Sequence, residues 1–247
     1  MDLPAVTFDL WNTLLWDQTY TQMPEFLAGG MGDILAAEGI FIDKEKLAAV
    51  VSDCRDLVMS RQVDEGLEFI PEEQLAWILG RMDMRIPGWL ANKLLNYYTT
   101  VRPGGRVNVM KGARDVLEEL SKKYPLAVIC NTGRTPGRVV RGLLSATDIS
   151  CYLQVLTFSD EERIAKPNPD IFIRTLKKMG AETRGSAHIG DDPRTDLKGA
   201  YSVGMYPIWF NAKKKNGCPE WAYEIHCLEE LPVLLDILFG QNGDRRL

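Results

Sequence analysis

One local pattern constrains the fold of this chain more than any other: a short β-prone run that ends on a polar or acidic turn and is followed by a helical stretch. Ala-Val-Thr-Phe-Asp-Leu at 5–10 leads into Asn12-Thr13, and 126–130 leads into Asn131-Thr132-Gly133. The run at 186–189 precedes Gly190-Asp191-Asp192, and 205–210 precedes Asn211-Ala212-Lys213. A weaker run covers 152–158. Helical spacing lies between them at 112–123, 136–146, 168–179 and 194–203, with Pro, Asp or Ser at the starts and Gly at several ends. Strands alternating with helices predict an α/β fold with a doubly wound parallel sheet.

The stretch from 17 to 103 breaks the alternation. Helical spacing recurs at 24–37, 43–62, 71–83 and 88–100, and no strand stands out among them. The expected organisation is a core domain of 1–16 and 104–247 with a helical cap domain of 17–103 inserted in it. Pro103-Gly104-Gly105 and the region from Asp17 to Thr21 are the expected hinges.

In an open parallel sheet, ligands bind where the carboxyl ends of adjacent strands meet. The polar residues of this sequence fall at those ends: Asp9, Asn131, Thr132, Asp191 and Asp192, with Lys166 on the connection before the 186–189 run. Crowded carboxylates repel one another unless a cation sits among them, and hard oxygen ligands select magnesium over zinc or copper. A carboxylate can also attack phosphorus to form an aspartyl-phosphate, with a metal and a lysine offsetting the charge. Asp9 is the candidate nucleophile. The backbone N–H groups after Asn131, near the helix that follows Pro136, are a candidate anion site.

Composition narrows the alternatives. A net charge of −5 gives no general attraction for nucleic acid or for anionic membranes. No apolar run approaches the ~18 residues of a membrane span, and the first residues do not read as a secretion signal, so a cytoplasmic protein is expected. The five cysteines form no Cys-x-x-Cys pair, which fits a reducing compartment. With two histidines, His188 and His226, neither a three-histidine zinc site nor a histidine-based catalytic triad is expected; His188, inside a run, reads as structural.

Four of these segments, in order, resemble the motifs of the haloacid dehalogenase superfamily, a group with many phosphatases. Phe8-Asp9-Leu10-Trp11-Asn12-Thr13-Leu14 resembles its first motif, Asp-x-Asp-x-Thr, and Val128-Ile129-Cys130-Asn131 its second. Lys166 in Ala-Lys-Pro-Asn-Pro-Asp looks like the third, and Gly190-Asp191-Asp192-Pro193-Arg194-Thr195-Asp196 like the acidic fourth. The insert resembles the helical cap of the branch with haloacid dehalogenases and phosphoglycolate phosphatases. The resemblance implies a Mg2+-dependent phosphatase of a small phosphate ester. Asp9 and Lys166 would be catalytic, and Asp9, the Trp11 carbonyl, Asp191 and Asp192 or Asp196 would hold the metal. Thr13, Cys130, Asn131, Thr132 and Arg134 would bind substrate. Exposed cap aromatics would permit a homodimer.

Two positions depart from the family pattern. Trp11 stands where phosphatases carry the aspartate that protonates the leaving group, and loss of such a group costs ~10²–10⁴ in rate. Cys130 replaces a Ser or Thr, and a thiol is a poor donor. Trp11 leaves open two other readings: a dehalogenase of 2-halo acids, which needs no proton donor, or a non-catalytic binding protein. Asp191 weighs against the dehalogenase, because those enzymes use no metal.

Overall fold

A computed structural model describes residues 4–17, 22–100 and 107–244, with 241–244 as backbone alone. In chain order the strands are β1 Val6–Phe8, β2 Leu15–Trp16, β3 Asn108–Val109, β4 Leu126–Cys130, β5 Val155–Phe158, β6 Ala187–Gly190, β7 Tyr206–Phe210 and β8 Tyr223–Ile225. The helices are α1 Met23–Ala36, α2 Lys44–Ser60, α3 Pro71–Arg81, α4 Gly88–Thr100, α5 Ala113–Ser121, α6 Gly137–Ser145, α7 Ser159–Glu162, α8 Pro169–Met179, α9 Lys198–Ser202 and α10 Leu231–Asp244.

Six strands form one parallel sheet in the order β5-β4-β1-β6-β7-β8, with Phe8 beside Val128 on one side and Ile189 on the other. The central strands are buried on both faces, which explains their unbroken apolar runs. Period-two alternation sorts the side chains. Val128 and Cys130 join Leu117 and Leu120 of α5, Val140 and Leu144 of α6 and Leu235 of α10. Ile129 faces the opposite way, into Ile171, Phe172 and Leu176 of α8 and Ala200 of α9.

Helices α1 to α4 build a separate apolar cluster, centred on Leu27, Met31, Leu47, Cys54, Ile78 and Leu94. Asp43 starts α2 by accepting hydrogen bonds from the Glu45 and Lys46 amides. The expected hinge at 103–105 lies outside the described residues, as does that at 17–21 apart from Asp17. Where the chain leaves the sheet, β2 pairs antiparallel with β3, bringing Leu15 and Trp16 opposite Val109 and Asn108.

Two expected helices are shorter than their patterns. After Ser60 the chain widens into a π-helical turn, Arg61–Glu65, closed by Gly66 in the left-handed conformation. The stretch at 194–203 is a π-helical turn, Pro193–Leu197, followed by α9. Such wide turns are frequent at functional sites. Here the turn folds the Asp196 carboxylate back onto the Asp192 amide, 3.0 Å away. The expected strand at 152–158 begins only at Val155, because Ser150–Tyr152 close a 3-10 turn.

Because the two apolar clusters are separate, damage to one should open it alone. Leu94→Ala, at a fully buried cap position, is expected to cost about 2–5 kcal/mol. Hydrogen exchange should rise in α1 to α4 while the amides of β1, β4 and β6 stay protected. Equal loss of protection in both regions would show one cooperative unit.

Candidate active site

Asp9 follows β1 directly, and its amide extends the ladder by donating to the Ile189 carbonyl at 2.8 Å. The chain then turns sharply through Asn12, whose φ of +61° is tolerated by asparagine. This brings the Thr13 hydroxyl back to donate to Asp9 Oδ2 at 3.3 Å. Asp191 follows β6, its backbone carbonyl accepting from the Trp209 indole N–H at 3.1 Å. The Asp196 carboxylate takes the space beside Gly190, where a Cβ would lie 2.2 Å from its carboxyl carbon. Only glycine fits there.

Lys166 is completely buried, and its ammonium donates to Asp9 Oδ1 at 2.6 Å and lies 2.7 Å from Asp196 Oδ1. Asn131 fixes that lysine's backbone from both sides. Its side-chain N–H group donates to the Lys166 carbonyl at 2.9 Å, and its oxygen accepts the Lys166 amide at 2.8 Å. His188 lies beneath, with Nδ1 2.8 Å from the Thr7 hydroxyl and Nε2 3.4 Å from Asp196 Oδ1. Burial holds its pKa below the usual histidine range, in keeping with a structural role.

Electrostatics divide the carboxylates. Burial opposes ionisation of Asp196, but the Lys166 charge and the His188 hydrogen bond overcome it and hold its pKa low. Burial likewise opposes charge on Lys166, and the Asp196 and Asp9 charges outweigh it, raising its pKa. Asp9 is pushed up to about 6, chiefly by burial, with Lys166 working against it. Asp191 is pushed up to about 8 by burial and then by the Asp9 and Asp196 charges. Among the described residues, no donor reaches the Asp191 carboxylate.

Oxygen atoms of Asp9, Asp191 and Asp196 lie within 4.8 Å of one another. When all three are ionised, three carboxylates against the one ammonium leave two negative charges, the complement of one divalent cation. A hard-oxygen donor set with an unmatched, half-buried carboxylate fits Mg2+. Asp192 stands apart from this cluster. Its carboxylate caps the following turn by accepting the Arg194 amide at 2.9 Å and pairs with the Arg194 guanidinium at 2.8 Å.

The remaining substrate candidates separate. Cys130 is fully buried on the sheet face that packs against α5 and α6. Burial and then the Asp9 charge push its thiol pKa well up. Asn131, Thr132 and Arg134 line a cavity of about 410 Å³ between the strand ends and the cap helices, together with Trp11 and Asn12. The anion site expected at the start of α6 is filled by the chain itself: Asp160 accepts from the Gly137 amide at 2.9 Å and from the Thr132 hydroxyl at 3.1 Å. The Thr132 amide is spent on Ser159 at 2.8 Å. A helix start attracts a carboxylate as readily as a phosphate, and the first turn of α7 delivers one.

The sequence reading missed the junction where the cap meets the core. Glu68 carries a buried carboxylate that accepts from the Ser159 hydroxyl and, at 2.9 Å, from Gln62. Beside it the Gly66 carbonyl accepts the Ala165 amide at 3.0 Å. From the other side, Arg134 donates to the Tyr98 carbonyl at 2.6 Å. A charged residue inside Leu67-Glu68-Phe69-Ile70, and Ser159-Asp160 directly after β5, were the signals available.

A parallel α/β sheet that gathers one ammonium and three carboxylates at its switch point, under a helical cover, defines the class as capped α/β enzymes with a carboxylate centre. The comparisons are more specific. The sequence model of the haloacid dehalogenase-like hydrolases matches residues 3–204. The chain belongs to that family and is a hydrolase. It is 25% identical to a glyceraldehyde 3-phosphate phosphatase of Pyrococcus abyssi (strain GE5 / Orsay), over 99% of this chain and 97% of that protein. The crystal structure of a HAD phosphatase from Thermococcus onnurineus superposes with a TM-score of 0.62 at 25% identity, covering 94% of this chain and 98% of that one. A 2-haloacid dehalogenase from Pseudomonas syringae pv. Tomato DC3000 shares the fold, with a TM-score of 0.67 at 24% identity over 95% and 99% of the two chains.

The Glu68 carboxyl is pushed up by burial from an ordinary value of 4.5 to about 7, against the hydrogen bonds from Ser159 and Gln62. Between those values the folded protein holds a proton that the unfolded chain has released. Stability therefore falls as pH rises through that window and levels off above about 7. Glu68→Gln removes this dependence. Between pH 4.5 and 8, wild type should lose about 1–3 kcal/mol more stability than the variant in urea unfolding; parallel profiles would contradict the assignment.

Proposed function

We propose that this protein is a magnesium-dependent phosphatase of a small phosphate monoester, with Asp9 as nucleophile and residues 17–103 as the cap over the core of 1–16 and 104–247. The observation that carries the reading is the Asp191 carboxylate, half-buried beside the buried Asp9 and Asp196 and without a donor among the described residues. A dehalogenase that works without metal would have no use for it. The phosphatase names of relatives such as the Pyrococcus abyssi protein point the same way.

In this reading an Asp9 carboxylate oxygen attacks the phosphorus, the bond to the ester oxygen breaks, and that oxygen leaves with the electron pair. Thr13 and Lys166 hold the two Asp9 oxygens in place. Lys166 also offsets charge on the transferring group. Asp9, Asp191, Asp196 and the Trp11 carbonyl are the groups that would hold Mg2+, which when bound supplies Lewis-acid stabilisation of the phosphoryl oxygens. Water then cleaves the aspartyl-phosphate, releasing inorganic phosphate and restoring Asp9. The cap covers the cavity and limits competing water. A cytoplasmic location and a small-molecule partner accompany the proposal.

Trp11 favours a second reading, cleavage of a 2-halo acid, because displacement of halide needs no proton donor. The two are separated by one set of assays. Phosphate release in magnesium is expected to vanish in chelator and to fall by about 10³-fold or more in Asp9→Asn. Beryllium fluoride, which imitates an aspartyl-phosphate, should bind wild type only with magnesium and should not bind Asp9→Asn. Chloride release from 2-chloropropionate in chelator, with no beryllium fluoride binding, would overturn the phosphatase reading.

A further inference from the structure

Resting on the phosphatase reading, we infer that the substrate is an aryl phosphate, a monoester of a phenolic hydroxyl, rather than a polyhydroxylated or sugar-like phosphate. Two independent observations carry this: the chemistry of the cavity wall and the residue at position 11.

The wall facing the strand ends is apolar, made by Met23, Pro24, Leu27, Val51, Val58 and Met59. Its polar members, Asp17, Arg55, Asn131 and Thr135 included, are largely engaged with the protein: Arg55 pairs with Asp56 and Asn131 with the Lys166 backbone, while Asn12 and Arg55 are exposed to solvent. The Gln74 amide donates to the Phe69 carbonyl while its oxygen accepts the Tyr98 hydroxyl at 2.7 Å. Gln62 donates to Glu68, Arg134 to the Tyr98 carbonyl, and the Thr132 hydroxyl to Asp160. A substrate hydroxyl entering here gives up water for few partners, which lowers binding by roughly ten-fold per group. An aromatic ring loses nothing of that kind and gains apolar burial. At about 410 Å³ the cavity has the size of a small-molecule site.

The second observation is Trp11, whose indole lines the same cavity two residues after the nucleophile. It cannot protonate a departing oxygen. An alkoxide leaving group, with a parent pKa far above neutrality, then departs slowly. A phenoxide, whose parent acid has a pKa of about 10 like that of tyrosine, leaves without help. The phenoxide departs with the electron pair of the P–O bond and takes a proton from solvent. Water attack on the aspartyl-phosphate completes the balance: one water is consumed, and the phenol and inorganic phosphate are released.

The test compares phenyl phosphate, benzyl phosphate, glycerol 3-phosphate and glyceraldehyde 3-phosphate on the full chain with magnesium. Phenyl and benzyl phosphate present similar apolar bodies but differ in leaving group, so phenyl should exceed benzyl by roughly 10²-fold in kcat/KM, which reports cleavage of the ester bond. Benzyl should exceed the two polar esters by at least about ten-fold through KM. Met59→Gln, at a half-exposed rim position, should raise KM for phenyl phosphate and leave kcat in place. Trp11→Asp should narrow the phenyl-to-benzyl ratio. Equal kcat/KM for phenyl and benzyl phosphate overturns the inference, as does the highest kcat/KM falling to either polar ester; magnesium-dependent beryllium fluoride binding would then keep the phosphatase reading standing. Turnover of no ester overturns the inference too, and absence of beryllium fluoride binding would remove the phosphatase reading with it.

Discussion

The Lys166 ammonium, buried between Asp9 and Asp196, is the interaction on which the active end of the molecule depends. Taking a charged amine out of water costs several kcal/mol, and only close, well-directed carboxylates offset that. The three residues come from three separate elements: the end of β1, the connection before α8, and the wide turn after β6. Each local oddity serves the pair. Asn131 clamps the lysine backbone, Gly190 leaves room for the Asp196 carboxylate, and the π-helical turn at Pro193–Leu197 folds that carboxylate inward. Stability and function are thus set by the same few contacts.

That arrangement also leaves a charge imbalance. Lys166 satisfies Asp196 and part of Asp9, whereas Asp191 is exposed to two like charges with no donor among the described residues to offset them. The strain falls at the mouth of the sheet, beside the cavity. In the proposed reaction a divalent cation and an incoming phosphoryl group would meet complementary halves of the same defect, the cation on the carboxylates and the anion on the ammonium. The region of helices α1 to α4 is joined to the sheet region by Glu68 on Ser159 and by Arg134 on Tyr98, contacts that do not use Asp9 or Asp191.

Much of this was legible in the sequence, and what was not has physical causes. The parallel sheet, the helical insert and the strand-end residues Asp9, Asn131 and Asp191 follow from periodicity and from the rule that ligands gather at carboxyl ends, and the structure places them there. The two-residue ribbon of β2 and β3 was hidden because so short a pair has no pattern of its own and forms only when the turn at Asn12 is closed. Helix α10 and strand β8, beyond the last recognisable motif, are defined by docking onto the sheet rather than by local signals. Asp192 and Asp196 looked alike in sequence. Only the three-dimensional course of the turn distinguishes the helix cap from the carboxylate that meets the lysine. The Gly137 amide at the expected anion site is taken for a related reason: its acceptor, Asp160, comes from α7, far away in sequence.

The departures at positions 11 and 130 act in one direction. A hydroxyl at 130 would bind a phosphoryl oxygen with a neutral hydrogen bond, and an aspartate at 11 would shuttle the proton; the thiol is instead buried and held neutral, and the indole forms cavity wall. In the proposed phosphatase, what would remain for the phosphoryl group is charge: Lys166 on one side and a cation held by the carboxylates on the other. Charge recognises any phosphate equally, so discrimination among esters shifts to the leaving group and the cap wall. Under that reading, an acid missing at position 11 would act as a filter, since the esters that do not need it are those whose apolar bodies the wall accepts.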